Sequence, residues 1–244
     1  MNVLCVIPAR YASTRLPGKP LKDIAGKPMI CRVYDRAAKA SRVAAAIVAT
    51  DDSRIYDAVL QHGGKAVMTR KDHPTGTDRL AEVAEKYPDV DLIINVQGDE
   101  PLIEPKLIDE LAAAFDGDAD LQMATVCTEI TDEAEQQNPN NVKVVMDKQG
   151  YALYFSRSLM PYPRHPGTPV YKHIGIYAYK RDFLLAYAKM AETPLEHAES
   201  LEQLRALENG YRIKVIKTPY RFVGVDTAED LAKVNAIYRQ MMQG

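Results

Sequence analysis

Cysteine is scarce in this chain of 244 residues and poorly placed for cross-linking. Cys5, Cys31 and Cys127 are odd in number, scattered and set among apolar neighbours. They read as small core residues in a reducing compartment, not as a disulfide or zinc framework. No apolar run approaches the ~20 residues needed to span a bilayer. A charged n-region followed by an h-region and cleavage site is also missing, so a cytoplasmic protein with no membrane insertion is expected. Basic residues are not in excess, with 31 against 33 acidic ones, which removes support for a nucleic-acid surface. Neither G-x-x-x-x-G-K-[ST] nor G-x-G-x-x-G occurs, so a Walker loop and a dinucleotide fingerprint are excluded. No Ser-His-Asp, Cys-His or zinc-ligand spacing stands out. Internal repeats and low-complexity linkers are absent as well.

What remains is an ordinary soluble composition, 46% apolar and 26% charged, long enough for one large α/β domain with a modest appendage. Apolar runs at Val3–Ile7, Ala46–Ala49, Ala66–Met68 and Leu92–Val96 read as buried strands. Between them Met29, Ile30, Val33, Tyr34 and Ala37, then Ile55, Val59 and Leu60, then Leu80, Val83, Ala84 and Tyr87 recur at helical spacing. Pro28 suits a first helical turn, and Asp51-Asp52 offers N-caps. This β-α alternation predicts a mainly parallel central sheet with helices on both faces. Later the rhythm changes. Leu121–Cys127, Val142–Met146, Tyr151–Phe155 and Ile174–Tyr179 read as strands, with Asp147–Gly150 as a hairpin turn. Pro161, Pro163, Pro166 and Pro169 mark residues 156–172 as a loop. Helices are expected near Arg181–Met190 and Pro194–Asn209, then a strand at Ile213–Lys217 and a last helix through Leu231, Val234, Tyr238 and Met241. Half of the eighteen Tyr and Phe residues lie between Tyr151 and Tyr187, and such rings favour surfaces that become half-buried on association. A subunit contact is therefore expected there.

The first strand runs into Ile7-Pro-Ala-Arg-Tyr-Ala-Ser-Thr-Arg-Leu-Pro-Gly-Lys19. Arg10, Arg15 and Lys19 fall within ten residues, with the hydroxyls of Ser13 and Thr14 among them. Open α/β sheets bind ligands at the carboxyl ends of their strands. A polyphosphate suits this loop, because cations neutralise it and hydroxyls and N–H groups cradle it. A solvated basic loop is the plainer alternative, and the loop's place after a first strand tilts the balance.

Asn95-Val-Gln-Gly-Asp-Glu-Pro101 follows the fourth strand and brings Gln97, Asp99 and Glu100 to the same sheet edge. A carboxylate there is either a turn former or a ligand for Mg²⁺, which favours one or two carboxylates plus phosphate oxygens. Asp226, in Gly224-Val-Asp-Thr-Ala-Glu-Asp230, is accounted for equally as an N-cap, as is Thr227, or as a second metal carboxylate. Thr75-Gly-Thr-Asp-Arg79 opens a helix, where Thr75 or Thr77 serves as a cap or meets ligand oxygens. Arg157 is a natural bidentate partner for a carboxylate. A lone His173 is by default structural, and Glu202-Gln203 by default face solvent.

Taken in order, IPARYASTRLPGKPL, VATDD, GTDRLAE, VNVQGDEPLI, NPNNVKVV, YALYFSRS, KHIGIYAY, LEQLRALENG and VDTAEDL resemble the CMP-Kdo synthetases, the 3-deoxy-manno-octulosonate (Kdo) cytidylyltransferases, over nearly the whole chain, with a segment for VNVQGDEPLI that here reads INVQGDEPLI. The resemblance implies a single Rossmannoid, GT-A-like nucleotidyltransferase domain over 1–244, with a strand-rich dimerisation and sugar-binding subregion near 150–190. It implies CMP transfer from CTP to the anomeric hydroxyl of Kdo for lipopolysaccharide biosynthesis, Mg²⁺ as cofactor and a homodimer. Carried onto this chain, Pro8, Ala9, Arg10, Ser13, Arg15 and Lys19 would hold the nucleotide with Ala49, Thr50, Asp51, Thr75 and Gly76. Asp99 and Asp226 would bind the metal, and with Arg15 and Lys19 they would form the catalytic set. Arg79, Gln97, Arg157, His173, Tyr177, Glu202 and Gln203 would line the sugar-acid site. The 160–170 loop is shorter than in some members, and Lys172 replaces an Arg before the His. The open alternatives are 8-amino-8-deoxy-Kdo or a sialic acid as acceptor, or a non-catalytic nucleotide-binding module.

Overall fold

The computed structural model describes residues 1–12, 16–165, 167–220 and 222–243. The chain divides into two compact units, Met1–Asp109 with Phe222–Gly244, and Glu110–Arg221. In chain order the first holds β1 (Val3–Ala9), a small hairpin of β2 (Asp23–Ile24) and β3 (Lys27–Pro28), α1 (Met29–Ala37), β4 (Ala45–Thr50) and α2 (Ser53–Gln61). It continues with β5 (Ala66–Met68), α3 (Gly76–Lys86), β6 (Leu92–Asn95) and α4 (Pro105–Ala113), within which the unit boundary falls. The second unit holds β7 (Met123–Ile130), α5 (Glu133–Gln137), β8 (Lys143–Met146), β9 (Ala152–Ser156) and β10 (Val170–Lys180). It ends with α6 (Arg181–Tyr187), α7 (Pro194–Glu199), α8 (Gln203–Glu208) and β11 (Ile213–Lys217), after which α9 (Ala228–Met241) belongs to the first unit again.

In the first unit β6, β1, β4 and β5 form a parallel sheet in that order. Successive strand residues point to opposite faces, yet Val3 to Ile7 are all buried, so helices cover both faces. All four strands therefore end at one edge, where Ala9 is level with Thr50. Beside it Leu16, Ile24, Met29, Val225, Val234 and Tyr238 form an apolar cluster that joins the basic loop, the small hairpin and α9. The second unit is built differently. Its central β7 pairs antiparallel with β10 and parallel with β11, and β10 continues antiparallel through β8 to β9.

The strand pattern follows the expectation closely, and the three cysteines are buried and free. Two differences have physical causes. The helix α4 is absent from the sequence-based expectation, although Leu107, Ile108, Leu111, Ala112 and Phe115 are buried at helical spacing. The expected helix over Pro194–Asn209 is two helices, broken where Ser200 takes a left-handed conformation with φ 51°. The broken turn exposes carbonyls that Arg157 collects, Glu199 O at 2.7 Å and Ser200 O at 3.3 Å. No described helix is long and apolar enough to cross a membrane.

Candidate active site

The first unit's strand ends enclose a cleft of about 360 Å³, lined by Pro8, Ala9, Arg10, Ala12, Lys19, Pro20, Gln97, Gly98, Asp99 and Asp226. That volume lies in the range of small-molecule sites. Its shape depends on Gly98, because a Cβ there would lie 2.7 Å from the carbonyl oxygen of Pro8. Without a side chain, the 97–100 turn rests directly on the end of β1. Val225 N–H then donates to Asp99 O at 2.9 Å, which seats Asp226 beside Asp99. Thr227, not Asp226, caps α9: its hydroxyl and the carboxylate of Asp230 form a reciprocal capping box. The capping role left open for Asp226 therefore falls to Thr227.

Lys19 is presented by a short 3-10 turn, Lys19–Leu21, entered through Gly18 at φ 66°. Its Nζ donates to Asp99 Oδ2 at 2.7 Å and to Asp226 Oδ1 at 3.1 Å. Burial works against the ammonium, but attraction to Asp99 and hydrogen bonds to both carboxylates prevail and raise its pKa. Two carboxylates and one cation at a half-buried surface form a site poised to exchange ions. Ser13 and Arg15, named above as phosphate ligands, lie outside the described residues.

On the adjoining rim, Thr75 caps α3 through a reciprocal box with Asp78 and leaves Gly76 as the first helical residue. Arg10 Nη2 donates to His73 O at 2.8 Å and Thr75 O at 3.3 Å, tying β1's end to that helix start. Ala49 and Thr50 are fully buried at the end of β4, and Asp52 caps α2. Arg79, expected on the sugar side, is buried inside the first unit. Its side chain has no solvent exposure, donates to Thr69 Oγ1 and stands 3.6 Å from Asp51. It braces Asp51 from within the fold, and burial lowers its pKa.

Whether Asp99 and Asp226 suit Mg²⁺ can be judged from the arrangement itself. One ammonium within hydrogen-bonding reach of both puts their oxygens within about 6 Å of each other, around a shared cation. Among the described residues no cluster of three or more His, Cys, Asp or Glu could enclose a metal. Mg²⁺ characteristically takes one or two carboxylates and leaves its other positions to phosphate and water. The pair fits.

Of the other residues expected on the sugar side, Gln97 lines the first unit's cleft, and Arg157, His173, Tyr177, Glu202 and Gln203 belong to the second unit. Arg157 is committed to main-chain carbonyls, reaching Pro139 O at 3.2 Å besides Glu199 and Ser200. Glu199 in turn accepts from Ser156 Oγ at 2.5 Å and Arg157 N–H at 2.9 Å. Beside them the side chain of Lys143 is fully buried, donating to Asn138 O, Asn141 O and Arg157 O at 3.0, 2.6 and 2.6 Å. Sequence reasoning missed Lys143 and Glu199; a lysine opening an apolar strand was the available signal. Gln203 is 4% exposed, contrary to its default, and its Nε2 has no hydrogen-bond partner. Arg205 pairs with Glu196 at 2.5 Å.

His173 packs edge-on against Phe155 with ring centres 5.0 Å apart, and against Tyr177 at 5.4 Å. Its enclosed ring has a pKa lowered by burial to about 3, which makes the imidazole neutral. Burial raises the phenol of Tyr177, and the nearby charge of Glu202 adds to the effect. Tyr177, Tyr179, Tyr187 and Phe183 continue as a stack, so much of the aromatic excess packs on itself. Tyr162 and Leu153 remain exposed.

Comparison with known proteins gives a consistent result. The cytidylyltransferase family model matches residues 4–215. A 3-deoxy-manno-octulosonate cytidylyltransferase of Fusobacterium nucleatum is 58% identical over 96% of both chains. One from Geobacter metallireducens is 54% identical, again over 96% of each. A solved CMP:2-keto-3-deoxy-manno-octonic acid synthetase, complexed with CTP, superposes with a TM-score of 0.95 at 49% identity, covering 99% of this chain and 100% of that one. A 4-diphosphocytidyl-2C-methyl-D-erythritol synthase from Anaerococcus prevotii, 16% identical, shares the fold with a TM-score of 0.64 over 98% of this chain and 96% of its own. With these matches spanning nearly its whole length, the chain belongs to the 3-deoxy-manno-octulosonate cytidylyltransferase family.

Proposed function

We propose that this chain transfers CMP from CTP to the anomeric 2-hydroxyl of Kdo, giving CMP-Kdo and pyrophosphate for lipopolysaccharide biosynthesis. The observation that carries the reading is the Lys19 cation held by both Asp99 and Asp226 in a cleft rimmed by Arg10. The sugar hydroxyl oxygen bonds to the α-phosphorus as the bond to the pyrophosphate oxygen breaks, and the hydroxyl proton passes to water. No covalent enzyme intermediate is required, so positioning and charge stabilisation do the work. Lys19 and Arg10, with Arg15 and Ser13 of the same loop, bind the triphosphate and stabilise charge on the departing pyrophosphate. Thr50, Asp51, Thr75 and Gly76 border the nucleoside. Asp99 and Asp226 would hold Mg²⁺, which when bound would supply positive charge against the phosphates and lower the pKa of a hydroxyl beside it. In the second unit His173, Tyr177, Glu202 and Gln203 address the sugar acid, Gln203 with an unused amide N–H pair. Two copies associate through the aromatic-rich 151–187 region.

Pyrophosphate release from CTP offered with Kdo, 8-amino-8-deoxy-Kdo or a sialic acid tests the reading directly. Kdo with Mg²⁺ should give the fastest release, and a chelator should abolish it. Release with none of the three acids would end the proposal, and full activity in chelator would remove the metal. Sedimentation showing a monomer at micromolar concentration would rule out the association.

A further inference from the structure

The hydroxyl of Thr125 is fully buried and has three neighbours within hydrogen-bonding distance. They are Ile176 O at 2.8 Å, Ile174 O at 3.2 Å and His173 Nε2 at 3.0 Å. The two carbonyls converge because β10 bulges between Ile174 and Tyr177, which turns both toward β7. A hydroxyl has one proton to give and lone pairs to accept with. Without a proton between them, Thr125 Oγ1 and Ile176 O would set lone pair against lone pair at 2.8 Å. The proton therefore lies toward the carbonyls, and the contact with His173 is made by an Nε2–H donor. In a neutral ring that leaves Nδ1 bare. Nδ1 accepts no hydrogen bond from any described residue, and His173 as a whole is half-buried.

We propose that Thr125 is a positioning residue, locking His173 in the Nε2–H tautomer so that Nδ1 accepts a hydrogen bond from a hydroxyl of the sugar acid. This rests on the reading of His173 as a sugar-side group. Thr125 touches no ligand; it acts through the imidazole and is held by the bulge. A site that demands a hydroxyl donor at a fixed neutral acceptor discriminates through the penalty of leaving a partner unpaired.

Long-range ¹H–¹⁵N spectra of histidine-labelled protein report each tautomer directly. His173→Gln identifies the His173 signals among the five histidines. The unmodified protein should show His173 as Nε2–H alone, and finding Nδ1–H would overturn the proposal without any variant at Thr125. Thr125→Val should mix the tautomers and raise the KM for the sugar acid about tenfold, with kcat and the KM for CTP changing little. Thr125→Ser should restore both the spectrum and the KM. An unchanged spectrum or an unchanged sugar KM in Thr125→Val would defeat the assignment. If the spectra behave as described but no sugar acid releases pyrophosphate from CTP, it is the cytidylyltransferase reading that fails.

Discussion

The two units handle charge in opposite ways. In the first, Lys19, Asp99 and Asp226 meet at a cleft wall with 17%, 31% and 45% of their side-chain surface exposed. Such groups can exchange one counter-ion for another at little cost, because water still shares in their solvation. In the second unit Lys143, Arg157 and Glu199 are turned inward onto main-chain carbonyls, main-chain N–H and one hydroxyl. Lys143 is fully buried and Arg157 and Glu199 are half-buried, each held by several hydrogen bonds, so removing a partner strands a group that is largely cut off from water. Exchangeable charge suits a polyanion and its metal. Fixed charge suits the shaping of the site proposed for the sugar acid, in which the imidazole of His173 and the amide of Gln203 carry no charge.

The sharpest way to break the contrast is to remove charge from the exchangeable site. Asp99→Asn keeps the shape but loses the carboxylate opposite Asp226. Turnover should fall by about 10²–10³-fold or more, as when a charge-stabilising group is lost, while CTP binding largely survives. Stopped-flow kinetics and nucleotide titration would separate the two, and unchanged kcat would remove Asp99 from the metal role. Gly98→Ala acts on the frame instead. Its Cβ would need to displace either Pro8's backbone or the 97–100 turn, costing about 1–3 kcal/mol and lowering kcat as Asp99 shifts. Thermal unfolding and turnover should both respond; an intact Tm would show that the turn has room to move.

How far the sequence revealed this contrast depends on how local each signal is. The parallel strands, the basic loop and the 97–100 turn were legible because each is a contiguous pattern with a known geometric consequence. That Asp226 rather than Thr227 would face the cleft was not, since both residues can cap a helix and only the Thr227–Asp230 box decides. Arg79 and Arg157 show the limit more plainly. A guanidinium in a motif suggests a ligand, yet one is buried on Thr69 and Asp51 and the other gathers carbonyls released by the Ser200 break. That break arises from a left-handed residue that is not glycine, which no periodicity signals. Lys143 is hidden for the same reason, its acceptors being main-chain groups that any residue type could supply.

Arg157 allows the comparison to be sharpened. If its charge is fixed in place as the structure indicates, Arg157→Ala should cost about 1–3 kcal/mol of stability by orphaning the carbonyls of Pro139, Glu199 and Ser200. The KM for the sugar acid should rise as well, because the Ser200 turn sets the start of α8 and with it Glu202 and Gln203. A higher KM with undisturbed unfolding would return Arg157 to the role of a direct carboxylate ligand. Arg157→Lys should recover less than half of either effect, since an ammonium cannot reproduce the fork.

The smallest effect separates the two behaviours within the first unit itself, away from the cleft. Glu82 accepts from Lys86 Nζ at 2.8 Å, Arg70 N–H at 2.9 Å and His73 Nε2 at 2.5 Å. Burial alone would favour its neutral form, but the hydrogen bonds from Lys86, Arg70 and His73 outweigh that and lower its pKa from 4.5 to about 2. A depressed carboxylate stabilises the fold fully above its unfolded value. As pH drops below 4.5 the unfolded chain takes up the proton first, so stability declines until about pH 2, where the folded carboxyl is protonated too. Denaturant unfolding between those limits should therefore show a slope that Glu82→Gln flattens. Because Glu82 holds His73, whose carbonyl anchors Arg10, the same variant should raise the KM for CTP slightly at neutral pH. An acid profile identical to that of the unsubstituted protein would mean that Glu82 is not held as a fixed charge, and the division between fixed and exchangeable groups would have to be drawn closer to the cleft.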